Sequence, residues 1–168
     1  LSWNGSGAVE IVVWGDYQAE SSRVLDDIVR ELLQSEPRAK YAFRHFPIDG
    51  SCNGGVEKFK NKYPGSCSMA KVVEAVDILC GNAARWKVHD VFMSGQGDLS
   101  MGSLARVAAT LCQKDAQTIV SVANSQEVEQ RVLIDIRAKN RVWRRSVPVL
   151  VVDGRLVPRW ELEGTTGR

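Results

Sequence analysis

Between Val9 and Leu33 the chain reads VEIVVWGDYQAESSRVLDDIVRELL, a stretch whose hydrophobic period changes once and abruptly. Val9, Ile11, Val12, Val13 and Trp14 form a run rich in β-branched residues, short enough for one strand and bounded by Gly15 and Asp16. Leu25, Ile28, Val29, Leu32 and Leu33 then recur at helical spacing and make a single buried stripe. Ser21 or Ser22 is the expected N-cap, and Pro37 stops the helix soon after its last apolar residue. A strand that runs straight into a helix aims backbone N–H groups and the positive helix end at whatever occupies the turn. Such a turn suits a thiolate, an oxyanion or a phosphate.

The phrase Trp14-Gly15-Asp16-Tyr17-Gln18 resembles the lead-in to the active site of DsbA-like proteins, a branch of the thioredoxin superfamily. The resemblance implies that Cys-x-x-Cys should follow, its first thiolate stabilised by the helix N-terminus. This chain has Ala19-Glu20-Ser21-Ser22 instead. Ala19 stands at the nucleophilic position and Ser22 at the resolving one, so no disulfide can form there. A serine nucleophile needs a base held beside it, and only Glu20 is local. Helix capping by the serines and a dipole contribution from Glu20 are the simpler accounts. Because Glu20 departs from the family loop as well, natural divergence explains the missing cysteines better than engineering.

Length and charge narrow the remaining choices. The 168 residues fit one domain, and 44% apolar residues are ample for a core. A net charge of +2 gives no strong preference for nucleic acid or acidic membranes, and no nucleic-acid partner is expected. No run is long enough to span a membrane. The chain starts at Leu1 rather than Met, which suggests a mature form or an excised piece, with any signal, anchor or fused domain outside it. Residues 1–8, which include Trp3-Asn4-Gly5-Ser6-Gly7, read as a flexible lead-in. The Asn4-Gly5-Ser6 triplet matches a glycosylation acceptor, but it is too common to carry weight.

Ala39 to Ile48 is the second strand, closed by Pro47 and Asp49-Gly50, and with the first unit it makes a right-handed, parallel βαβ element. A strand that ends in Phe-Pro is also similar to DsbA-like proteins. His45 within it reads as structural. Ser51 to Ser68 is loop-like and carries Cys52 and Cys67, a reasonable disulfide pair whose closure would contribute about 3 kcal/mol. Four cysteines allow three full pairings, so the connectivity stays open. Free thiols and a displaced redox site are the alternatives for this pair. Tyr63-Pro64-Gly65-Ser66-Cys67 resembles a His-Pro-x-Ala-Cys step of DsbA-like domains linked to vitamin K epoxide reductase homologues, with Tyr63 departing from the histidine.

A helical region of about 68–123 follows. Val72, Val73, Val76, Leu79 and Cys80 form one face that ends at Gly81-Asn82, and Trp86–Met93 makes a short helix. Leu104, Val107, Ala108, Leu111 and Cys112 form another face, and a short piece surrounds Ile119 and Val120. Cys80 and Cys112 lie on apolar faces and read as buried, inert thiols, with pairing as the alternative. Trp86 and His89-Asp90 resemble a packing step of the family. Ser125 caps a helix through Val128, Val132, Leu133 and Ile136. It ends in the basic run Arg137, Lys139, Arg141, Arg144 and Arg145 around Trp143, which suits a helix C-terminus.

Val149-Leu150-Val151-Val152, Asp153-Gly154 and Arg155-Leu156-Val157 read as a hairpin. The Val147-Pro148 step that enters it resembles the second hallmark of the thioredoxin superfamily. By that resemblance the bond is cis, faces the Ala19–Ser22 turn, and offers backbone groups to an extended partner. The resemblance therefore implies an α/β, thioredoxin-like fold over 9–160 with a helical insertion, and a tail at 161–168 too short for the family's last helix.

Three functional expectations follow. The first is a redox-inactive module that binds a protein or extended peptide through Val147, Pro148, Trp14 and Tyr17. The second is a thiol-disulfide oxidoreductase using Cys52 and Cys67. The third is an enzyme on the same scaffold similar to the glutathione transferases. No cofactor or metal is called for. Disulfide use and the resemblance favour an extracytoplasmic or periplasmic setting, with or without a membrane anchor.

Overall fold

The computed structural model describes residues 3–59, 62–95, 97–142 and 146–158, the side chains of 57–59 excepted. Strand β1 (Val9–Gly15) leads into helix α1 (Glu20–Ser35), which returns to β2 (Ala39–His45). A 3-10 segment at Gly54–Phe59 precedes α2 (Ser66–Cys80), α3 (Asn82–Ser94), α4 (Met101–Cys112), α5 (Ala116–Ala123) and α6 (Gln126–Asn140). Strands β3 (Val149–Val152) and β4 (Arg155–Leu156) close the sheet, whose order is β2-β1-β3-β4. The β1–β2 pair is parallel and the other two pairs are antiparallel.

β1 is the organising strand because both its faces are apolar. Ile11 and Val13 join Tyr41 and Phe43 in the larger core under α1, α2 and α3. Val12 and Trp14 point the other way and pack with Phe46, Val149, Val132 and Ile136, the last two from α6. A continuous apolar run is what a strand buried on two sides requires. The insertion stacks α3, α4 and α5 around α2, and its cores merge with the larger one. Side chains start three of these helices: Ser100, Asp115 and Ser125 each accept a bond from the backbone N–H three residues on. Asp153 and Gly154 both have positive φ, at 46° and 74°, the pairing expected of a two-residue hairpin turn.

Several expectations change. Residues 3–7 are not a free lead-in: Asn4 exchanges both backbone bonds with Tyr41 at 2.7 and 2.8 Å, and Asn82 Nδ2 donates to the Trp3 carbonyl. β2 ends at His45 rather than Ile48, α2 begins at Ser66, and α3 begins at Asn82 rather than Trp86. Cys80 and Cys112 are not free thiols; they form a disulfide with Cα atoms 5.8 Å apart, joining the last residues of α2 and α4. Within the basic run, Lys139 is only 3% exposed and its ammonium lies 4.1 Å over the Phe46 ring. Its neighbours Trp143, Arg144 and Arg145 lie outside the described residues, as does 161–168. No helix among the described residues is long and apolar enough to cross a membrane.

The outer edge of β2 is closed residue by residue. Asn4 takes both backbone groups of Tyr41, Arg85 donates to the Phe43 carbonyl, and the Asp135 carboxylate accepts from the His45 amide at 2.9 Å. An edge closed in this way offers no template for another strand. Asp135 also receives Arg44 Nε at 2.6 Å. Asp135→Ala should therefore strand a covered amide and a half-covered guanidinium, and lower unfolding free energy by about 1–3 kcal/mol in a urea titration. A loss below about 0.5 kcal/mol would contradict this description of the edge.

Candidate functional site

The turn after β1 is held by a buried aspartate. Asp16 Oδ1 accepts from the Gln18 amide at 2.8 Å and from Ser66 Oγ at 2.6 Å, and Oδ2 accepts from the Ile48 amide at 2.6 Å. One carboxylate thus ties the turn to the end of β2 and to the start of α2. Burial pushes the Asp16 carboxyl up, and its three donors oppose that shift. Gln18 Nε2 adds bonds to the carbonyls of Tyr63 and Pro64 and to Ser66 Oγ. The loop before α2 is in turn held by Asp49, whose Oδ2 accepts from the amides of Gly65 and Cys67.

Ala19, not a serine, is the N-cap of α1, and no side chain caps it. Ser22 Oγ turns inward and accepts from the Asp16 amide at 3.2 Å. The helix closes tightly on the strand end: a Cβ added to Gly15 would come within 2.7 Å of the Phe43 ring and 3.0 Å of Ser22 Oγ. Ala19 is 3% exposed and Ser22 0%, whereas Glu20 and Ser21 face solvent. The two positions that would carry thiols hold a methyl group and an engaged hydroxyl. Both are covered.

Trp14 and Tyr17 are also covered. Trp14 Nε1 donates to the Asp135 carbonyl, and Arg44 stacks over its ring at 5.0 Å. Tyr17 is 2% exposed; its hydroxyl bonds His89 Nδ1 at 3.0 Å, and His89 Nε2 bonds Asp26 Oδ1 at 3.0 Å. Tyr41 donates to the same Asp26 oxygen at 2.7 Å. With neutral His89 donating from Nε2, the order of groups is that of a hydroxyl, a base and an orienting carboxylate. His89 and Asp26 are 0% and 1% exposed, however, so no substrate reaches this relay. It fastens α1 to α3 and β2.

A second buried cluster lies behind it. Glu74 Oε1 meets His45 Nε2 at 2.9 Å and Arg85 at 3.4 Å, and Arg131 approaches Oε2. Burial acts to raise the Glu74 carboxyl, but His45 and the two guanidiniums outweigh it and hold it at about 2. His45 is thus buried and structural. The sequence signal for Asp26 was available: it interrupts the apolar stripe between Leu25 and Val29. Its partners His89 and Tyr41 come from distant elements, and nothing local announces them.

Cys52 and Cys67 form a disulfide, Cα to Cα 5.9 Å. Cys67 is the second residue of α2 and is buried, while Cys52 is half-buried in the preceding loop. The Val147–Pro148 bond is cis. Since Trp14 pairs antiparallel with Val149, Pro148 enters the sheet at the end where β1 leaves it for the turn. Val147 and Pro148 are half-buried, and the Val147 amide and carbonyl have no backbone partner among the described residues. No group of three metal-ligating side chains occurs among those residues.

These features define a thioredoxin-like α/β fold with a helical insertion. More narrowly, the chain has the DsbA-like form of that fold. A thioredoxin-like oxidoreductase from Silicibacter pomeroyi DSS-3 superposes with a TM-score of 0.73 at 20% identity, over 93% of this chain and 82% of that one. BdbD from Bacillus subtilis gives 0.75 at 16% identity, over 94% and 84%. The thiol-disulfide exchange protein alpha-DsbA2 from Wolbachia pipientis gives 0.72 at 19% identity, over 92% and 76%. No protein-family model matches the sequence, and no curated protein matches it.

The buried relay sets a pH dependence. Burial holds His89 down to about 4 from its ordinary 6.5, against the pull of Asp26. The unfolded chain takes up that proton near 6.5 and the folded chain does not. Stability is therefore full above 6.5 and falls as pH drops toward 4. Between pH 7 and pH 5 this histidine alone should remove ~2 kcal/mol. The loss should be absent from the profile of His89→Gln, measured by urea unfolding at each pH, and should therefore appear as the difference between the two profiles. A wild-type profile parallel to that of the variant would contradict it.

Proposed function

We propose that this chain is a DsbA-like domain without dithiol exchange at the α1 turn, and that it binds an extended segment of a partner protein at Val147–Pro148. One observation carries the reading: the turn keeps its family lead-in but has no sulfur at positions 19 and 22, while the half-buried Val147–Pro148 step stays open at the same end of the sheet. Strand addition draws its affinity from main-chain hydrogen bonds and needs no cysteine. The outer edge of β2 is closed to such bonds, and the half-buried Val147 beside the cis bond offers main-chain groups at the end of the sheet where the turn lies. Trp14 packs in the cluster that also takes Val147, Tyr17 lies in the opposite core, and neither is exposed to touch the partner.

The partner is a protein, because strand addition takes an extended polypeptide whose own main chain pairs with the domain. Two disulfides among the described residues suit an oxidising setting, so the domain works outside the cytoplasm, in a periplasm or an equivalent space. Calorimetric titration with cysteine-free, unfolded peptides tests the reading. The wild-type chain should bind with micromolar affinity. Val147→Pro, which deletes that residue's amide, should weaken binding about tenfold, the equivalent of about 1.4 kcal/mol. Ala19→Ser should leave it unchanged. Wild-type protein that binds no such peptide, or a Val147→Pro chain that is folded and binds equally well, would overturn it.

A further inference from the structure

The two disulfides sit at opposite ends of helices. Cys67 occupies the first turn of α2, a helix of 15 residues, where the helix field stabilises a thiolate. Cys80 is the last residue of that same helix and Cys112 the last residue of α4, so both sulfurs of the second bridge lie where the field disfavours a thiolate. Exchange is faster when the departing sulfur is the better thiolate and the attacked sulfur is accessible. Cys52–Cys67 meets both conditions: Cys52 is half-buried on a loop and Cys67, at 4% exposed, is the covered leaving group. Asp49 bears on Cys67 in the opposite sense, but its Oδ2 already accepts the amides of Gly65 and Cys67.

Position matters as well. Residues 63–66, immediately before Cys67, receive all three bonds of Gln18 Nε2, and Ser66 donates to Asp16. The bridge is thus fastened directly to the turn that would have carried thiols.

We propose that Cys52–Cys67 is a thiol-disulfide exchange site that oxidises a protein dithiol. A substrate thiolate attacks Cys52 Sγ, the Cys52–Cys67 bond breaks, and Cys67 leaves as a thiolate. The second substrate thiolate then attacks the substrate sulfur of the mixed disulfide, and Cys52 leaves. The substrate loses two electrons and gains a disulfide; the pair becomes two thiols, and the protons given up by the substrate are taken up by the departing thiolates. Delivery of the substrate rests on the groove proposed above, while the sulfur chemistry does not.

The test offers oxidised wild-type protein an equimolar reduced two-cysteine peptide, with acid quench, alkylation and peptide mass analysis over time. Cys52–Cys67 should open at least tenfold faster than Cys80–Cys112, with one peptide disulfide formed per bridge lost. With oxidised glutathione, Cys67→Ser should take up glutathione on Cys52, whereas Cys52→Ser should stay unmodified at Cys67. A Cys52–Cys67 bridge that stays closed, or opens no faster than the other, overturns the proposal, and the wild-type time course decides this even if a variant fails to fold. Calorimetry with the cysteine-free peptide separates the two readings: binding without exchange sinks this proposal alone, and exchange without binding sinks the groove alone.

Discussion

The carboxylate of Asp16 is the contact on which the rest of this end of the molecule depends. Three donors from three segments converge on it: the amide of Gln18, the amide of Ile48 and the hydroxyl of Ser66. The turn, the exit of β2 and the entry of α2 have no regular secondary structure in common; Asp16 bonds all three directly, and the Phe46 amide on the Gly15 carbonyl, Asp49 and the Cys52–Cys67 bridge reinforce the junction. A buried carboxylate is unfavourable unless its lone pairs are used, and here they are. Gln18 extends the same junction to the loop that carries Tyr63 and Pro64. The arrangement makes the turn part of the scaffold.

Behind that junction the core carries more polar matter than a minimal apolar core would. Tyr17, His89, Asp26 and Tyr41 form one chain of bonds, and His45, Glu74, Arg85 and Arg131 form another. Such pairs stabilise little relative to apolar side chains of the same size, but losing one partner is costly. Their contribution here is directional. The first network joins α1 to α3 and β2, and the second joins β2 to α2, α3 and α6, so the helical insertion is held at one angle to the sheet.

What the sequence disclosed and what it withheld follow from the range of the interactions. The doubly buried β1, the stripe of α1, the caps at Ser125 and the Asp153-Gly154 turn are local patterns, and each is realised. The serines after Ala19 are a counterexample. Ser22 looks like a cap because it precedes an apolar stripe, yet its hydroxyl is taken by the Asp16 amide, a contact set by the tight closure at Gly15. Residues 3–7 show no periodicity, and only the free edge of β2 explains why they dock there. The Cys80–Cys112 bridge depends on where α2 and α4 end relative to each other, which helical spacing does not encode. At the candidate site, the absence of cysteine at positions 19 and 22 was legible from two letters, whereas the cover over Trp14 and Tyr17 comes from α6 and α3.

The functional account joins these parts. In the proposed reading, the turn held by Asp16 and the Val147–Pro148 step at the same end of the sheet form the platform for an extended partner, and residues 63–66, just before Cys67, are bonded to that turn through Gln18. Asp16 bonds the turn, the exit of β2 and the entry of α2 directly. The most direct measurement is amide hydrogen exchange by NMR on the wild-type chain and on Asp16→Ala, comparing Gln18, Ile48 and Gly65. The account predicts slow exchange at all three amides in the wild type, and a joint loss of protection in the variant while the amides of Ile11 and Val13 in β1 stay protected. Fast exchange at Gln18 and Ile48 in the wild type, or protection unchanged by the substitution, would contradict it.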